Sequence, residues 1–175
     1  MRGEIFSLDV LFGLNFPLDV SGLFAVFFRK FRDEHGRQKI VKKYKKNALF
    51  PITKSLCKKY TVPSGLSSAN QPNIINGLLP RQIVIGFVKA DALNGNYKLN
   101  PFNFHHFDCN FIALRVNGLQ IPAKGYRPNF EKKIVRRELR ALYDNIGVND
   151  ASDDTGCNLN VEDFIGGFTL FSFDF

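Results

Sequence analysis

Cysteine is scarce in this chain. Cys57, Cys109 and Cys157 are the whole set, widely spaced and without a Cys-x-x-Cys pair. An odd, scattered set excludes a disulfide framework and a structural zinc knot. It points to reduced thiols in a cytosolic or nuclear protein. Signature loops are missing too. No Gly-x-Ser-x-Gly, Gly-x-x-x-x-Gly-Lys-Ser, His-Glu-x-x-His or Gly-x-Gly-x-x-Gly occurs. That removes the usual esterase, nucleotide-binding and metalloprotease readings. Histidine is limited to three residues, and His105-His106-Phe107-Asp108 is the one run of ligand types. Adjacent histidines on a strand point to opposite faces and do not grip one ion. Structural histidines beside a turn are expected, with no metal and no cofactor. A Cys109–His106 nucleophilic pair has no supporting signature. Glu162 and Asp163 read as solvated carboxylates in a polar loop.

Tryptophan is absent, so the aromatic content rests on 19 Phe and 5 Tyr. Phe is bulky, rigid and favoured in strands, which points to layered β packing. The chain has 175 residues, enough to bury a core. Acidic residues are the minority, 16 against 24 Lys and Arg, for a net charge of +8. Half of those cations fall between residues 29 and 59, whereas residues 150–163 are acidic. Lys42, Lys43, Lys45 and Lys46, around Tyr44, form a candidate nucleic-acid patch. A solvated helix face is the competing reading. Opposite patches on one chain also suit head-to-tail contact between copies.

Residues 5–28 are mostly apolar and precede Arg29, Lys30 and Arg32. Asp9 and Asp19 interrupt the run, and each costs about 2.5–3.5 kcal/mol at mid-membrane. A membrane span is therefore disfavoured, and no secretory signal is clear. Core strands, or a foreign stretch, are the remaining readings. Residues 1–46 form this lead plus a basic connector, and residues 47–175 form the main domain.

Residues 56–62 read as a strand, and 64–79 as a polar loop. Ile83 to Val88 is a continuous β-branched and aromatic run, expected to be covered on both faces. Residues 89–104 form a loop with turn signals at Asn94-Gly95-Asn96 and Asn100-Pro101. Phe111 to Val116 and Leu119 to Ile121 flank Asn117-Gly118, a strong hairpin signal. Ile134, Val135, Leu139, Leu142, Tyr143 and Ile146 recur at helical spacing, predicting one amphipathic helix over 130–146 with Gly147 as C-cap. Its polar face carries Lys132, Lys133, Arg136, Arg137 and Arg140. Residues 147–160 form an acidic loop. Phe171, Phe173 and Phe175 alternate with polar residues as a final strand. An apolar strand without a charged tail promotes aggregation, so the chain reads as a fragment.

The ordered strings carry a resemblance. They are Leu79 to Val88, Ala92 to Tyr97, Asn100-Pro101-Phe102-Asn103-Phe104, Asn117 to Pro122, Pro128-Asn129-Phe130 and Gly167 to Asp174. In this order they resemble the hexon-like major capsid protein of Polinton (Maverick) elements and adintoviruses. The match runs from about Asn47 to Phe175. The resemblance implies a mainly β fold: a jelly-roll sandwich, the incomplete second roll of a double jelly-roll, trimerising into capsomers. It implies a self-assembling shell subunit, a truncated or transposon-derived copy, in a virion or in host cytoplasm or nucleus, and not secreted. The partner is then the chain itself, a homotrimer in an intact relative, with weak nucleic-acid contact and no small-molecule substrate. No enzyme activity is expected. Asn100, Pro101, Phe102, Asn103 and Phe104 are the candidate contact or structural loop. Phe102 reads equally as a buried anchor or a subunit contact. A basic nucleic-acid-binding module is the alternative function.

Overall fold

The computed structural model describes residues 6–14, 22–31, 53–77, 79–146 and 158–175. Among them the chain is mainly β. Its strands are β1 (Phe6–Gly13), β2 (Gly22–Phe31), β3 (Thr53–Val62), β4 (Ser68–Gly77), β5 (Gln82–Lys89), β6 (Phe111–Val116), β7 (Leu119–Tyr126) and β8 (Leu170–Asp174). The helices are α1 (Ala90–Leu93), α2 (Arg136–Ile146) and α3 (Val161–Gly166). One sheet has the order β4-β1-β6-β7 and the other β3-β2-β5-β8. Every neighbouring pair is antiparallel.

The connectivity is nested twice. β2 pairs with β3 in one sheet while β1 pairs with β4 in the other. Likewise β6 pairs with β7 while β5 pairs with β8. The two nested units join where β1 meets β6 and β2 meets β5. Strands of the apolar lead thus occupy an interior place in each sheet. No helix of the described residues is long and apolar enough to cross a membrane.

Period-two alternation supplies the core. Leu8, Val10 and Phe12 of β1 are at most 2% exposed, as are Ile83, Ile85 and Phe87 of β5 and Phe171 and Phe173 of β8. The faces meet through rings: Phe12 lies 5.5 Å from Phe87, and Tyr126 lies 5.1 Å from Phe173. Phe87 and Phe164 both contact Phe171 edge-on. Each such aromatic pair adds about 0.5–1.5 kcal/mol beyond its area. At the β7–β8 side, α2 packs against β8. Leu139, Leu142 and the preceding Val135 join the core there. Tyr126 donates its hydroxyl proton to the Ser172 carbonyl at 3.0 Å.

The Asn117-Gly118 hairpin forms as expected, both residues having positive φ (49° and 85°). β5 is covered on both faces, with Gly86 at its middle. A Cβ on Gly86 would stand 2.6 Å from the Phe104 ring. Only glycine leaves room there for the Phe104 ring. Asp9, an interruption in an apolar run, has a structural use. Its carboxylate accepts the Asn73 N–H at 3.0 Å, where the β1–β4 register shifts.

Several expectations need correction. Residues 68–77, read within a loop, form β4. It is a polar edge strand containing Pro72, and edge strands tolerate proline and polar residues that resist further pairing. The helix expected over 130–146 starts at Arg136. Asn129 takes the Lys132 N–H on its side chain at 2.8 Å, and Asn129 bridges to Ile134. A side chain that caps a turn competes with helix, and Ile134 is left 62% exposed. Two short helices join the expected one. Glu162 and Asp163 belong to α3, not to a loop, and Asp163 and Asn160 cap each other reciprocally. Gly147 lies outside the described residues.

Candidate functional site

The loop Asn100–Phe104 is held from both ends of its own sequence. Asn100 accepts the Phe102 N–H on its side chain at 2.9 Å, an Asx turn. The Phe104 N–H donates to the Gly167 carbonyl at 2.8 Å, and the Phe104 carbonyl accepts from Thr169 at 3.2 Å. His105 N–H reaches the Phe87 carbonyl at 2.9 Å. The loop is thereby sewn to the end of β5 and to the α3–β8 junction. The five residues have different fates. Phe104 is half-buried over Gly86, whereas Phe102 is 74% exposed. Phe168, whose backbone bridges to Phe104, is 49% exposed, and Tyr97 is 90% exposed. Pro101 and Asn103 are half-buried and Asn100 is exposed. Exposed rings near one loop are an apolar surface, not a concave site.

The histidines do not converge. His105 packs edge-on against Phe107, and His106 stacks on Phe130 at 4.3 Å. Burial, then the charges of Lys89 and His106, lowers the His105 pKa. His106 Nδ1 accepts the Asp108 N–H at 3.0 Å. Phe107 and Asp108 have φ of 43° and 46°, so the run is a turn rather than a strand. No group of three or more His, Cys, Asp or Glu side chains able to hold a metal occurs among the described residues. Cys109 is wholly buried, and burial pushes its thiol up to about 12. A thiol so raised is protonated at neutral pH and is a poor nucleophile. Its Sγ donates to the Phe111 carbonyl. Cys57 is exposed on β3. Cys157 and the lysine patch Lys42, Lys43, Lys45 and Lys46 lie outside the described residues.

A basic cleft of about 610 Å³ opens between the end of β7 and the start of α2. Lys124, Arg127, Lys133, Arg136 and Arg137 line it, with Glu138 in its wall. Arg137 is structural: it donates to the Gly125 and Lys124 carbonyls at 3.1 and 2.5 Å and lies over the Tyr126 ring. Glu138 is 3% exposed. Burial raises its pKa, while its own backbone N–H, the Arg137 charge and the Arg127 N–H pull the other way. Lys133 pairs with Glu162 at 2.7 Å, and Arg140, outside the cleft, pairs with Asp144. Sequence reasoning placed Lys133, Arg136 and Arg137 on a helix face but missed Lys124 and Arg127. The signal was available: six of these cations fall within the run 124–137 once Lys132 is counted.

No family profile matches the chain. No solved structure matches it either. A curated relative is the uncharacterized protein F54H12.2 of Caenorhabditis elegans, 23% identical over 127 residues. The match covers 71% of this chain but only 30% of that relative. The chain is similar to less than a third of a longer protein.

Proposed function

We propose that this chain is a structural, shell-forming protein built on a jelly roll and associating with copies of itself. The observation that carries the reading is the strand-pairing scheme. A jelly roll is eight strands in two sheets, made of two Greek keys. Its strands pair in a nest: first with last, second with seventh, third with sixth, fourth with fifth. Counting from β7 and passing from β8 to β1 reproduces that nest, including the contacts that join each sheet's halves. In this reading the order corresponds to a circular permutation of such a roll. Among the described residues, eight strands make up the two sheets.

Further support comes from the surface. Phe102, Phe168 and Tyr97 present rings to solvent around one loop, and the large aromatics that anchor protein interfaces are of this kind. The resemblance of the ordered strings to Polinton and adintovirus capsid proteins supports the same reading. In this reading the partner is a second and third copy, and the location is a virion or the host cytoplasm or nucleus.

Sedimentation velocity tests it. Oligomers should grow with concentration, and Phe102→Ser with Phe168→Ser should shift the equilibrium to monomer at unchanged circular dichroism. Association buried in apolar contact weakens little with salt. A wild-type chain that stays monomeric up to about 100 μM, a range where mass action reveals modest affinities, refutes the proposal.

A further inference from the structure

We propose that the cleft between β7 and α2 is a sequence-independent binding site for the phosphate backbone of a nucleic acid. The inference stands apart from the shell reading, because it uses different residues.

Five basic side chains surround this cleft against one buried carboxylate. Among the described residues, no ion pair engages Lys124, Arg127 or Arg136. Arg136 and Arg137 are the first two residues of α2. A helix start adds positive potential to the side-chain charges around it. Arginine forks match phosphate oxygens two at a time.

The walls argue against other occupants. A peptide strand would need free main-chain partners along β7. The Lys124 and Gly125 carbonyls, however, already accept from Arg137. An acidic peptide would have to share these carbonyls with Arg137, whereas a phosphodiester chain carries no main-chain donors to place. Its charge is also denser, about one per 1.7 Å of duplex axis. No exposed aromatic ring lines the cleft, so it offers no base-stacking platform of the kind single-strand binders use. Phe111 and Tyr126 lie beneath Arg127 and Arg137 as supports. Contacts are therefore to phosphate and carry no base information.

The test is fluorescence anisotropy with end-labelled oligonucleotides of about 20 nucleotides, single-stranded and duplex, from about 50 to 200 mM salt. The triple variant Lys124→Glu, Arg127→Glu, Arg136→Glu should lose at least about tenfold in affinity. Its salt slope should fall by roughly two to three, one unit for each lost phosphate contact. A control with the same charge change, Lys59→Glu, Lys89→Glu, Lys98→Glu, should lose much less. If the reversal triple does not fold by circular dichroism, the glutamine triple at the same three positions serves, with a smaller loss in the same direction. Equal losses in test and control would reduce the effect to net charge and overturn the site. Absence of binding by the wild type at low salt would overturn it as well. So would polyglutamate displacing the oligonucleotide at lower charge concentration than unlabelled DNA, which would assign the cleft to acidic chains.

Discussion

Gly86 and Phe104 make a coupled pair whose energetics the structure specifies. Gly86 sits mid-strand in β5, where alanine would normally be the better residue by roughly 0.5–1 kcal/mol. Its φ does not lie in the left-handed region, so backbone strain does not oppose Ala. Space does: the added methyl would stand 2.6 Å from Phe104 Cδ1 and 2.8 Å from Leu170 Cδ2. Both are side-chain atoms, and the leucine end can rotate away more easily than the ring. Overpacking of this kind costs about 1–3 kcal/mol. Gly86→Ala should therefore destabilise by about 1–2 kcal/mol in the wild-type background. Phe104→Ala removes a half-buried ring and should cost about 2–3 kcal/mol, below the 3–5 typical of a fully buried one. In the double variant the ring clash is gone, so the second substitution should add little. The expected coupling is about 1–2 kcal/mol, read from urea denaturation midpoints in a double-mutant cycle. Phe102→Ala, two residues away but 74% exposed, should cost less than about 1 kcal/mol. Additivity of Gly86→Ala and Phe104→Ala within about 0.5 kcal/mol would refute the packing argument.

Burial and hydrogen bonding elsewhere in the core set three further outcomes. Tyr126→Phe leaves the buried Ser172 carbonyl without its hydroxyl donor and should cost about 1–3 kcal/mol. Burial raises the Glu138 carboxyl above its ordinary 4.5, so the fold favours the protonated form. Wild-type stability should then rise as pH falls through the raised value and level off below about 4.5, with Glu138→Gln more stable at neutral pH and the difference gone in acid; a constant difference across that range would show the acid is not desolvated. In a Cys157→Ser background, Ellman's reagent should label exposed Cys57 quickly and Cys109 only as the protein unfolds.

Some of this architecture was readable from residue order and some was not. The run Ile83 to Val88 announced a doubly covered strand because β-branched residues have few other uses in such density. Asn117-Gly118 announced its hairpin because both residues accept positive φ. β4 was hidden by composition: its large apolar residues are confined to Ile74 and Ile75, and Ser68, Asn70 and Pro72 look like loop chemistry. The start of α2 was hidden by one side chain, since Asn129 diverts the chain into a turn before the helical period can begin. Phe102 and Phe104 are indistinguishable as sequence. They differ in exposure because a glycine far upstream opens a bed for one of them. The basic cleft is likewise tertiary. Lys124 lies on β7, Arg127 just past its end, and Arg136 opens α2; only the return of α2 against β8 sets them side by side.

β1 is the strand with the most distant neighbours. Leu8 pairs with Ile75 on one side and with Val116 on the other, about a hundred residues further along. A ribosome adding about 5–20 residues per second needs roughly 5–20 s to deliver that second partner. Throughout the wait Leu8, Val10 and Phe12 have emerged with one edge still bare. The yield of folded protein then depends on what shields that segment during synthesis, so a co-expressed holdase should raise it and slowed elongation should lower it.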